Sequence, residues 1–173
     1  PYLSRGLGDV YKRQGWKDLE GHGIQELDTV VGIAASGRTP YVIGALRHAR
    51  LRGILTGCVT CNPESAIVQA CDHHIVAVTG PEFVTGSTRM KAGTATKLIL
   101  NRLTTATMIQ LGHVQGNRMV DMQLTNAKLV QRGARMVSEA TGLALEEAES
   151  MLKQHGSVRA AVEAHQQQED ARS

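Results

Sequence analysis

The sequence predicts an α/β fold with a doubly wound parallel sheet, followed by a small helical domain. Short apolar, β-branched runs alternate with stretches of helical periodicity, and the connections between them have the length of right-handed crossovers. Residues 124–173 show helical patterns alone. The chain has 173 residues, of which 42% are hydrophobic and 20% charged, which is typical of a globular protein that buries its own core.

The first residues do not belong to this pattern. Residues 1–14 read PYLSRGLGDVYKRQ, and the string Asp9–Gln14 resembles the translated transposon end of a sequencing adapter. We therefore expect residues 1–14 to be an adapter artefact without order that contributes nothing to the fold. On this interpretation the native sequence starts near Gly15, in the middle of a longer protein. An ordinary polar N-terminus is the alternative.

The next part of the chain predicts a βαβαβ unit. Pro40 suits the first position of a helix, where its missing N–H is not needed, and Asn62 is a candidate N-cap. Three strands make a thin sheet, which agrees with a loss of earlier strands. The expected elements are a strand at Asp28–Ala35, a helix from Pro40 to Leu51, a strand at Ile54–Thr60, a short helix at Pro63–Cys71 and a strand at Ile75–Val78.

The remainder predicts helices. After a loop at Thr79–Ser87, a long helix is expected from about Thr88 to a stop at Gly112. Three further helices are expected at Thr125–Ala140, Leu145–Gln154 and Ser157–Gln168. We expect residues 15–123 to form the sheet domain and residues 124–173 the small helical domain with a frayed tail.

Composition excludes several classes of function. The formal net charge is only +3 and aromatic residues make up 3%, so neither an electrostatic surface nor a stacking platform for nucleic acid is indicated. No apolar run approaches the ~20 residues of a membrane-spanning helix. Three cysteines, an odd number, argue against a disulfide framework and for a reducing, cytoplasmic compartment.

The turn between the first strand and the first helix is the main candidate for ligand binding. It consists of Ser36, Gly37, Arg38 and Thr39. Backbone N–H groups at a helix N-terminus lack intrahelical partners and carry partial positive charge, so the turn predicts an anion cradle at the carboxyl end of a strand. Neither nucleotide-binding glycine motif is present, so the expected anion is a sugar or metabolite phosphate. A plain N-capped turn is the alternative.

A second candidate lies in Gly80–Lys97, GPEFVTGSTRMKAGTATK. It supplies the carboxylate of Glu82, the hydroxyls of Ser87 and Thr88, and the cation of Lys91. Ser87 and Lys91, four residues apart, would share one face of the expected helix. Cations in a first turn oppose the helix dipole, which favours an anionic ligand there. A solvated cationic turn is the alternative.

Metal and nucleophile motifs are weak. Cys58 and Cys61 have the C-x-x-C spacing, with Cys71 and His73 nearby. Side chains three apart on a strand point to opposite faces, so we expect buried structural cysteines and no metal site. His73 and His74 precede the third strand, at the wrong end for a ligand crevice, and no histidine forms a recognisable catalytic triad.

Four stretches resemble one family. Gly80–Lys97 resembles the signature shared by N-acetylmuramic acid 6-phosphate etherases and the glucokinase regulatory protein. Val30–Leu46, Gly57–Ser65 and Gly116–Lys128 also resemble etherase sequence. The resemblance covers Gly15 to about Ala161. It implies a sugar isomerase (SIS) domain with a flavodoxin-like parallel sheet, whose N-terminal strands precede Gly15, and a small helical C-terminal domain.

The resemblance also implies a function. The expected activity is that of a carbon–oxygen lyase that removes D-lactate from N-acetylmuramic acid 6-phosphate, leaving N-acetylglucosamine 6-phosphate, in recycling of cell-wall amino sugars. No metal or redox cofactor is implied, and the expected partners are a sugar phosphate and, in the full-length protein, a second copy in a homodimer. A non-catalytic sugar-phosphate regulator is the alternative. A SIS-domain transcription regulator would need a basic recognition helix, which the sequence lacks.

The implied roles fall on named residues. Ser36, Gly37, Arg38 and Thr39 correspond to phosphate or sugar contacts. Secondary substrate contacts are implied at Glu82, Ser87, Thr88 and Lys91. The acid–base carboxylates of the family are expected before Gly15, so no catalytic residue is assigned, and we expect the chain as written to lack etherase activity.

Overall fold

The computed structural model describes residues 2–171. The chain divides into two compact units, Pro1–Arg102 and Leu103–Ser173. The elements of the first unit are α1 (Tyr2–Gly21), β1 (Thr29–Ile33), α2 (Pro40–Leu51), β2 (Leu55–Thr60), a 3-10 helix (Val68–Ala70) and β3 (His73–Val76). The helix α3 (Lys91–Gln110) contributes residues to both units. No helix within residues 2–171 has the length and apolar character needed to cross a membrane.

The three strands form a parallel sheet in the order β1-β2-β3, which confirms the predicted fold class. Gly32 lies beside Cys58, and Cys58 lies beside His74. The central strand β2 buries Thr56 and Thr60 as well as its apolar residues. The Thr56 hydroxyl donates to Asp72 at 2.6 Å, so its burial leaves no unpaired polar atom.

Helix α2 covers one face of the sheet. It begins at Pro40, as expected, and buries Ile43 and Leu46 against Ala34 and Cys58. Gly32 of β1 is the point of closest approach, because a Cβ there would lie 2.6 Å from Leu46 Cδ1. On the other face, Val31, Ile33, Leu55 and Ile75 remain 38–48% exposed.

Helix α1 corrects the expectation for the first residues. Residues 2–14, expected to be without order, form the first turns of a helix that continues to Gly21. Of the residues in this helix whose burial is described, Gly15 and Trp16 are buried, while Val10 and Tyr11 are more than half exposed. The Arg52 guanidinium lies 4.1 Å from the centre of the Trp16 ring, in cation–π geometry. Whether residues 1–14 derive from an adapter stays a prediction.

Two further expectations are wrong. No α-helix forms at Pro63–Cys71, where a turn leads into the short 3-10 helix Val68–Ala70. The Ser65 hydroxyl donates to the Asn62 carbonyl at 2.6 Å, and the Ile67 amide donates to the Gly37 carbonyl, so these backbone groups bond outside any helical ladder. The third strand begins at His73, not at Ile75, because His73 already pairs with Gly57.

The second unit is a helical bundle, as expected. Its helices are α4 (Ala127–Thr141), α5 (Leu145–His155) and α6 (Val158–Asp170), and they are preceded by a hairpin of β4 (Val114–Gln115) and β5 (Arg118–Met119) that the sequence did not predict. Asn126 and Ser157 cap α4 and α6 with their side chains. Gly142 and Gly156 end α4 and α5 in the left-handed conformation, at φ 77° and 76°.

Asp121 joins three parts of this unit. Its carboxylate accepts hydrogen bonds from Arg159 Nη2 and from His113 Nδ1, both at 2.8 Å. Arg159 also donates to the Gly112 carbonyl, so the start of the hairpin, the segment after it and α6 are held together. The hydrogen bond from Arg159 is the main cause that lowers the pKa of Asp121 to about 2.

The approach of α2 to Gly32 gives a stability prediction. In Gly32→Ala, the added Cβ would collide with Leu46 and Val42 at 2.6 and 2.7 Å, so we expect a loss of roughly 1–3 kcal/mol in the free energy of unfolding. The matched control is Gly57→Ala in the neighbouring strand, whose Cβ would meet only ordinary contacts at 3.7 Å or beyond. Urea unfolding followed by Trp16 fluorescence measures both. Equal effects would contradict the close approach.

The Asp121 cluster gives a pH prediction. A carboxyl whose pKa is lower in the folded state stabilises the protein above its unfolded pKa of about 3.9, and this contribution is lost as the pH falls towards 2. We expect Asp121→Asn to unfold at a lower temperature at neutral pH and to lose less between pH 4 and pH 2. Thermal unfolding by circular dichroism measures this. The exposed Asp170→Asn is the control, and the cluster is unimportant if both variants behave alike.

Candidate functional site

The two loops that follow β1 and β2 lie together at the carboxyl end of the sheet. They are Ala35–Thr39, here called the cradle loop, and Cys61–Ser65, here called the support loop. The Cys61 amide donates to the Ala35 carbonyl at 3.0 Å, and the Asn62 side chain donates to the Ser36 carbonyl at 3.4 Å. The loops therefore form one hydrogen-bonded structure at the edge where open α/β sheets bind ligands.

Gly37 is the closest contact between the two loops. Its φ of 65° is left-handed, and a Cβ there would lie 2.0 Å from Ser65 Oγ and 2.9 Å from Thr60 Oγ1. The Gly37 amide donates to Ala34, and its carbonyl accepts from Ile67 at 3.1 Å. No other residue type fits this position, so the conformation of the cradle loop is set by the backbone.

The cradle loop leads directly into the N-terminus of α2. Thr39 occupies the N-cap position, but its side chain makes no capping hydrogen bond, and the first turn of α2 contains no acidic residue. The amides of Tyr41 and Val42 belong to the first turn, where no intrahelical acceptor exists. The Thr39 hydroxyl and the Arg38 guanidinium are exposed and have no partner among residues 2–171. The plain N-capped turn is therefore not what forms here.

Ser36 is the remaining predicted residue of this loop. Its hydroxyl accepts a long hydrogen bond, 3.4 Å, from the Arg38 amide. Ser36, Gly37, Arg38 and Thr39 thus lie in one loop beside the start of α2, where the Thr39 hydroxyl and the Arg38 guanidinium are available as donors. Such a set suits a tetrahedral oxyanion, since phosphate binds at helix N-termini through N–H donors and charge.

The carboxylate of Glu82 is bound within the chain. Its two carboxylate oxygens accept from the amides of Lys91 and Ala92 at 3.0 and 3.1 Å, so it caps the N-terminus of α3 from nine residues upstream. These bonds, with that from Ala92 first, hold the pKa of Glu82 below its ordinary value. The cations near the start of α3 were expected to favour an anionic ligand. In the structure, the carboxylate of Glu82 supplies a negative charge at this position.

Ser87, Thr88 and Lys91 are not arranged as expected. Helix α3 begins at Lys91, so Ser87 and Thr88 lie in the preceding turn, and the prediction that Ser87 and Lys91 share a helix face is wrong. The Lys91 ammonium donates to the Pro81 carbonyl at 3.0 Å. In the part of the chain that is described, no hydrogen bond or ion pair joins Glu82, Ser87, Thr88 or Lys91 to the cradle loop. Their contact with a ligand stays a prediction.

The end of β2 and the support loop contain positioning residues that the sequence did not assign. Thr60 donates to the Ala35 carbonyl and accepts from the Asn62 amide, both at 3.3 Å, and Ser65 packs against Gly37. The resemblance of Gly57–Ser65 to etherase sequence marked this stretch without indicating a role. Only the folded structure shows that it holds the cradle loop.

The three cysteines do not come together as a candidate site. Cys58 and Cys71 are buried and Cys61 is half-buried, and all three are free thiols. Burial, followed by a hydrogen bond with Cys71, raises the pKa of Cys58 to about 12, which makes it a poor nucleophile and a poor ligand at neutral pH. Among residues 2–171, no three His, Cys, Asp or Glu side chains are gathered in a way that could hold a metal ion.

Comparison with known proteins identifies the relatives of this chain. A family model described as SIS domain matches residues 19–106. The chain is 58% identical over 152 residues to an N-acetylmuramic acid 6-phosphate etherase from Christiangramia forsetii, covering 88% of this chain and 56% of the relative. Proteins of the same name from Bacteroides fragilis and Salmonella schwarzengrund are 56% and 54% identical, over 88% and 83% of this chain and 54% and 48% of theirs. The chain spans about half the length of these curated relatives.

The contact at Gly37 gives a prediction. Gly37→Ala combines a left-handed backbone, about 1–2 kcal/mol, with a collision against Ser65 that adds roughly 1–3 kcal/mol. The control is Gly53→Ala, which has φ 75° but no atom within 4 Å of the added Cβ. We expect Gly37→Ala to lower the urea midpoint clearly more than Gly53→Ala. Equal midpoints would show that the support loop does not constrain Gly37.

Proposed function

The chain belongs to the SIS-domain family, and from this premise we propose that its cradle loop binds the phosphate group of an amino sugar phosphate. The observation that carries the proposal is the open N-terminus of α2, beside the exposed Thr39 hydroxyl and Arg38 guanidinium. The function that we propose is that of an N-acetylmuramic acid 6-phosphate etherase, which is the name of its relatives.

In this proposal each type of donor group has its own role in binding the phosphate. The amides of Tyr41 and Val42 in the first turn of α2 donate to the phosphate oxygens, and the Thr39 hydroxyl donates beside them. Arg38 supplies the compensating charge, and its planar fork suits two phosphate oxygens at once. Gly37 contributes by letting the backbone lie against Ser65.

The proposed reaction is a lyase reaction at the neighbouring carbons of the sugar. With the ring open, the proton on C2 is acidic because it lies next to an aldehyde, and a carboxylate base removes it. The C3–oxygen bond of the lactyl ether then breaks, with an acid supplying a proton to the departing lactate. Water adds to the double bond, giving N-acetylglucosamine 6-phosphate and D-lactate. These steps need carboxyl groups that titrate near neutrality and no redox partner.

We assign no proton transfer to the carboxylates described here. Glu82 lies within the stretch Gly80–Lys97 that resembles the family signature, but its two oxygens accept from the amides of Lys91 and Ala92 and its pKa is lowered. A carboxylate of that kind is a weak base and is not protonated at neutral pH. Its proposed role is to shape the loop Gly80–Met90 and to fix the start of α3.

The same proposal includes the cellular compartment and the partners of the protein. Three free thiols in residues 2–171 support a reducing, cytoplasmic compartment. Exposed apolar side chains on α3, including Leu98, Leu103 and Ile109, support association with a second copy, as the family resemblance implies. A net charge of +3 and 3% aromatic residues support a small-molecule partner over nucleic acid.

The Thr39 hydroxyl provides the test of phosphate binding. We expect Thr39→Val to weaken binding of N-acetylmuramic acid 6-phosphate about tenfold or more, since a hydrogen bond to a charged group contributes about 1.5–3 kcal/mol. Calorimetric titration measures it. The control is Thr125→Val, which removes an exposed hydroxyl outside the cradle loop. Unchanged affinity in Thr39→Val would show that the cradle loop does not bind the phosphate.

A second measurement separates the enzyme from the alternative, a non-catalytic sugar-phosphate regulator. The 152 matched residues of this chain are placed in the Christiangramia forsetii relative, and release of D-lactate is measured. We expect turnover within about tenfold of the unaltered relative, because the matched parts are 58% identical. A chimera that binds the sugar phosphate but releases no D-lactate would favour the regulator.

A further inference from the structure

Helix α1 meets α2 at the turn with which α2 begins. A Cβ added at Gly15 of α1 would lie 2.5 Å from the Tyr41 carbonyl oxygen and 3.1 Å from Ala45 Cβ. The two backbones therefore approach each other with no side chain between them at this point. Because Tyr41 is the second residue of α2, the contact falls directly beside the cradle loop.

A hydrogen bond between side chains adds to this contact. The Tyr41 hydroxyl donates to Asp18 of α1, with 2.8 Å between the phenol oxygen and Oδ2, and the Gln14 side chain donates to the other carboxylate oxygen at 2.7 Å. The bond from Gln14, followed by that from Tyr41, holds the pKa of Asp18 below its ordinary value. The bond to Asp18 raises the pKa of Tyr41, so at neutral pH the phenol keeps its proton and the carboxylate accepts it.

The backbone of Tyr41 belongs to the open start of α2. Pro40 has no amide N–H, and the Ile43 amide donates to the Thr39 carbonyl at 3.1 Å as the first bond of the helical ladder. The amides of Tyr41 and Val42 lie before that bond. Tyr41 thus connects two things, the carboxylate of Asp18 through its side chain and the proposed phosphate through its amide.

The direction of helical side chains shows why this connection matters. Side chains on an α-helix lean toward its N-terminus, so a tyrosine in the first turn leans toward the open amides. The bond to Asp18 holds the Tyr41 ring against α1 and restricts both the ring and the turn that carries it. A donor that is already ordered loses less entropy when it binds a ligand.

We propose that Asp18 is a positioning residue for the anion site, which acts through the Tyr41 phenol to hold the first turn of α2 in its phosphate-binding geometry. This inference rests on the proposed function of the cradle loop. Asp18 does not bind the ligand itself, since its carboxylate repels a phosphate. Removing a negative charge near an anion site should tighten binding by electrostatics alone, whereas loss of positioning weakens it, so the two effects have opposite signs.

The test is a calorimetric titration of the whole chain with N-acetylmuramic acid 6-phosphate. We expect Tyr41→Phe and Asp18→Ala each to weaken binding about three- to tenfold, the range for which one hydrogen bond accounts. The double variant should bind no more weakly than either single variant, because both remove the same bond. Tighter or unchanged binding in Asp18→Ala, or additive losses in the double variant, would overturn the proposal.

The matched control is Glu20→Ala. Glu20 is also a carboxylate of α1 that bonds α2, but its partner is Arg52, at 3.4 Å and at the opposite end of α2. We expect this variant to bind the sugar phosphate as the unaltered chain does, with a urea midpoint close to that of Asp18→Ala. Equal weakening in Glu20→Ala and Asp18→Ala would assign the effect to helix docking in general.

NMR spectra supply a readout that stability alone does not change. In the unaltered chain we expect the ligand to shift the amides of Tyr41 and Val42, and in saturated Asp18→Ala we expect smaller shifts of these two. Thr39→Val separates the two proposals. If Thr39→Val weakens binding while Asp18→Ala and Tyr41→Phe do not, the cradle loop binds phosphate and only the positioning role is wrong. If the unaltered chain shows no shifts there, both are wrong.

Discussion

The contact between Gly37 and the support loop is the constraint on which the candidate site depends. A side chain at this position would occupy the space of the Ser65 hydroxyl, so the cradle loop can lie where it does only as bare backbone. Thr60, at the end of β2, bonds both loops, and the Gly37 carbonyl accepts from Ile67. The direction in which α2 starts, and hence where its free amides point, is thereby fixed by the neighbouring strand.

The N-termini of α2 and α3, both in the first unit, show why this constraint matters for the proposed function. Helix α3 begins with two cations nearby, and the chain places its own carboxylate, Glu82, on the amides of Lys91 and Ala92. Helix α2 begins at Pro40 with neither a side-chain cap nor an acidic first turn. The same physical feature is thus satisfied internally in one helix and left open in the other. That contrast, more than the dipole itself, is our reason for proposing the cradle loop as the place for an external anion.

Local patterns in the sequence were sufficient to predict the first two strands and the bundle helices. The strands around Val30 and Val59 follow from apolar runs, and the bundle helices, two of which are capped by Asn126 and Ser157, follow from helical periodicity. Long-range bonds decided the rest. The Ile67 amide donates to the carbonyl of Gly37, thirty positions earlier, and the helix expected at Pro63–Cys71 does not form. The carboxylate of Glu82 caps the amide of Lys91, where α3 begins. The four cradle residues were predicted, but the support loop that holds them was visible only after folding.

The two units are held in place by different physical means. In the first unit, the cradle loop is fixed by backbone geometry, because Gly37 lies against Ser65 with no side chain between them. In the second unit, the carboxylate of Asp121 bonds His113 and Arg159. Because the pKa of Asp121 is about 2, that carboxylate stays ionised at neutral pH. Acid should therefore weaken the contacts around Asp121 directly, while the close packing at Gly37 involves no titratable group.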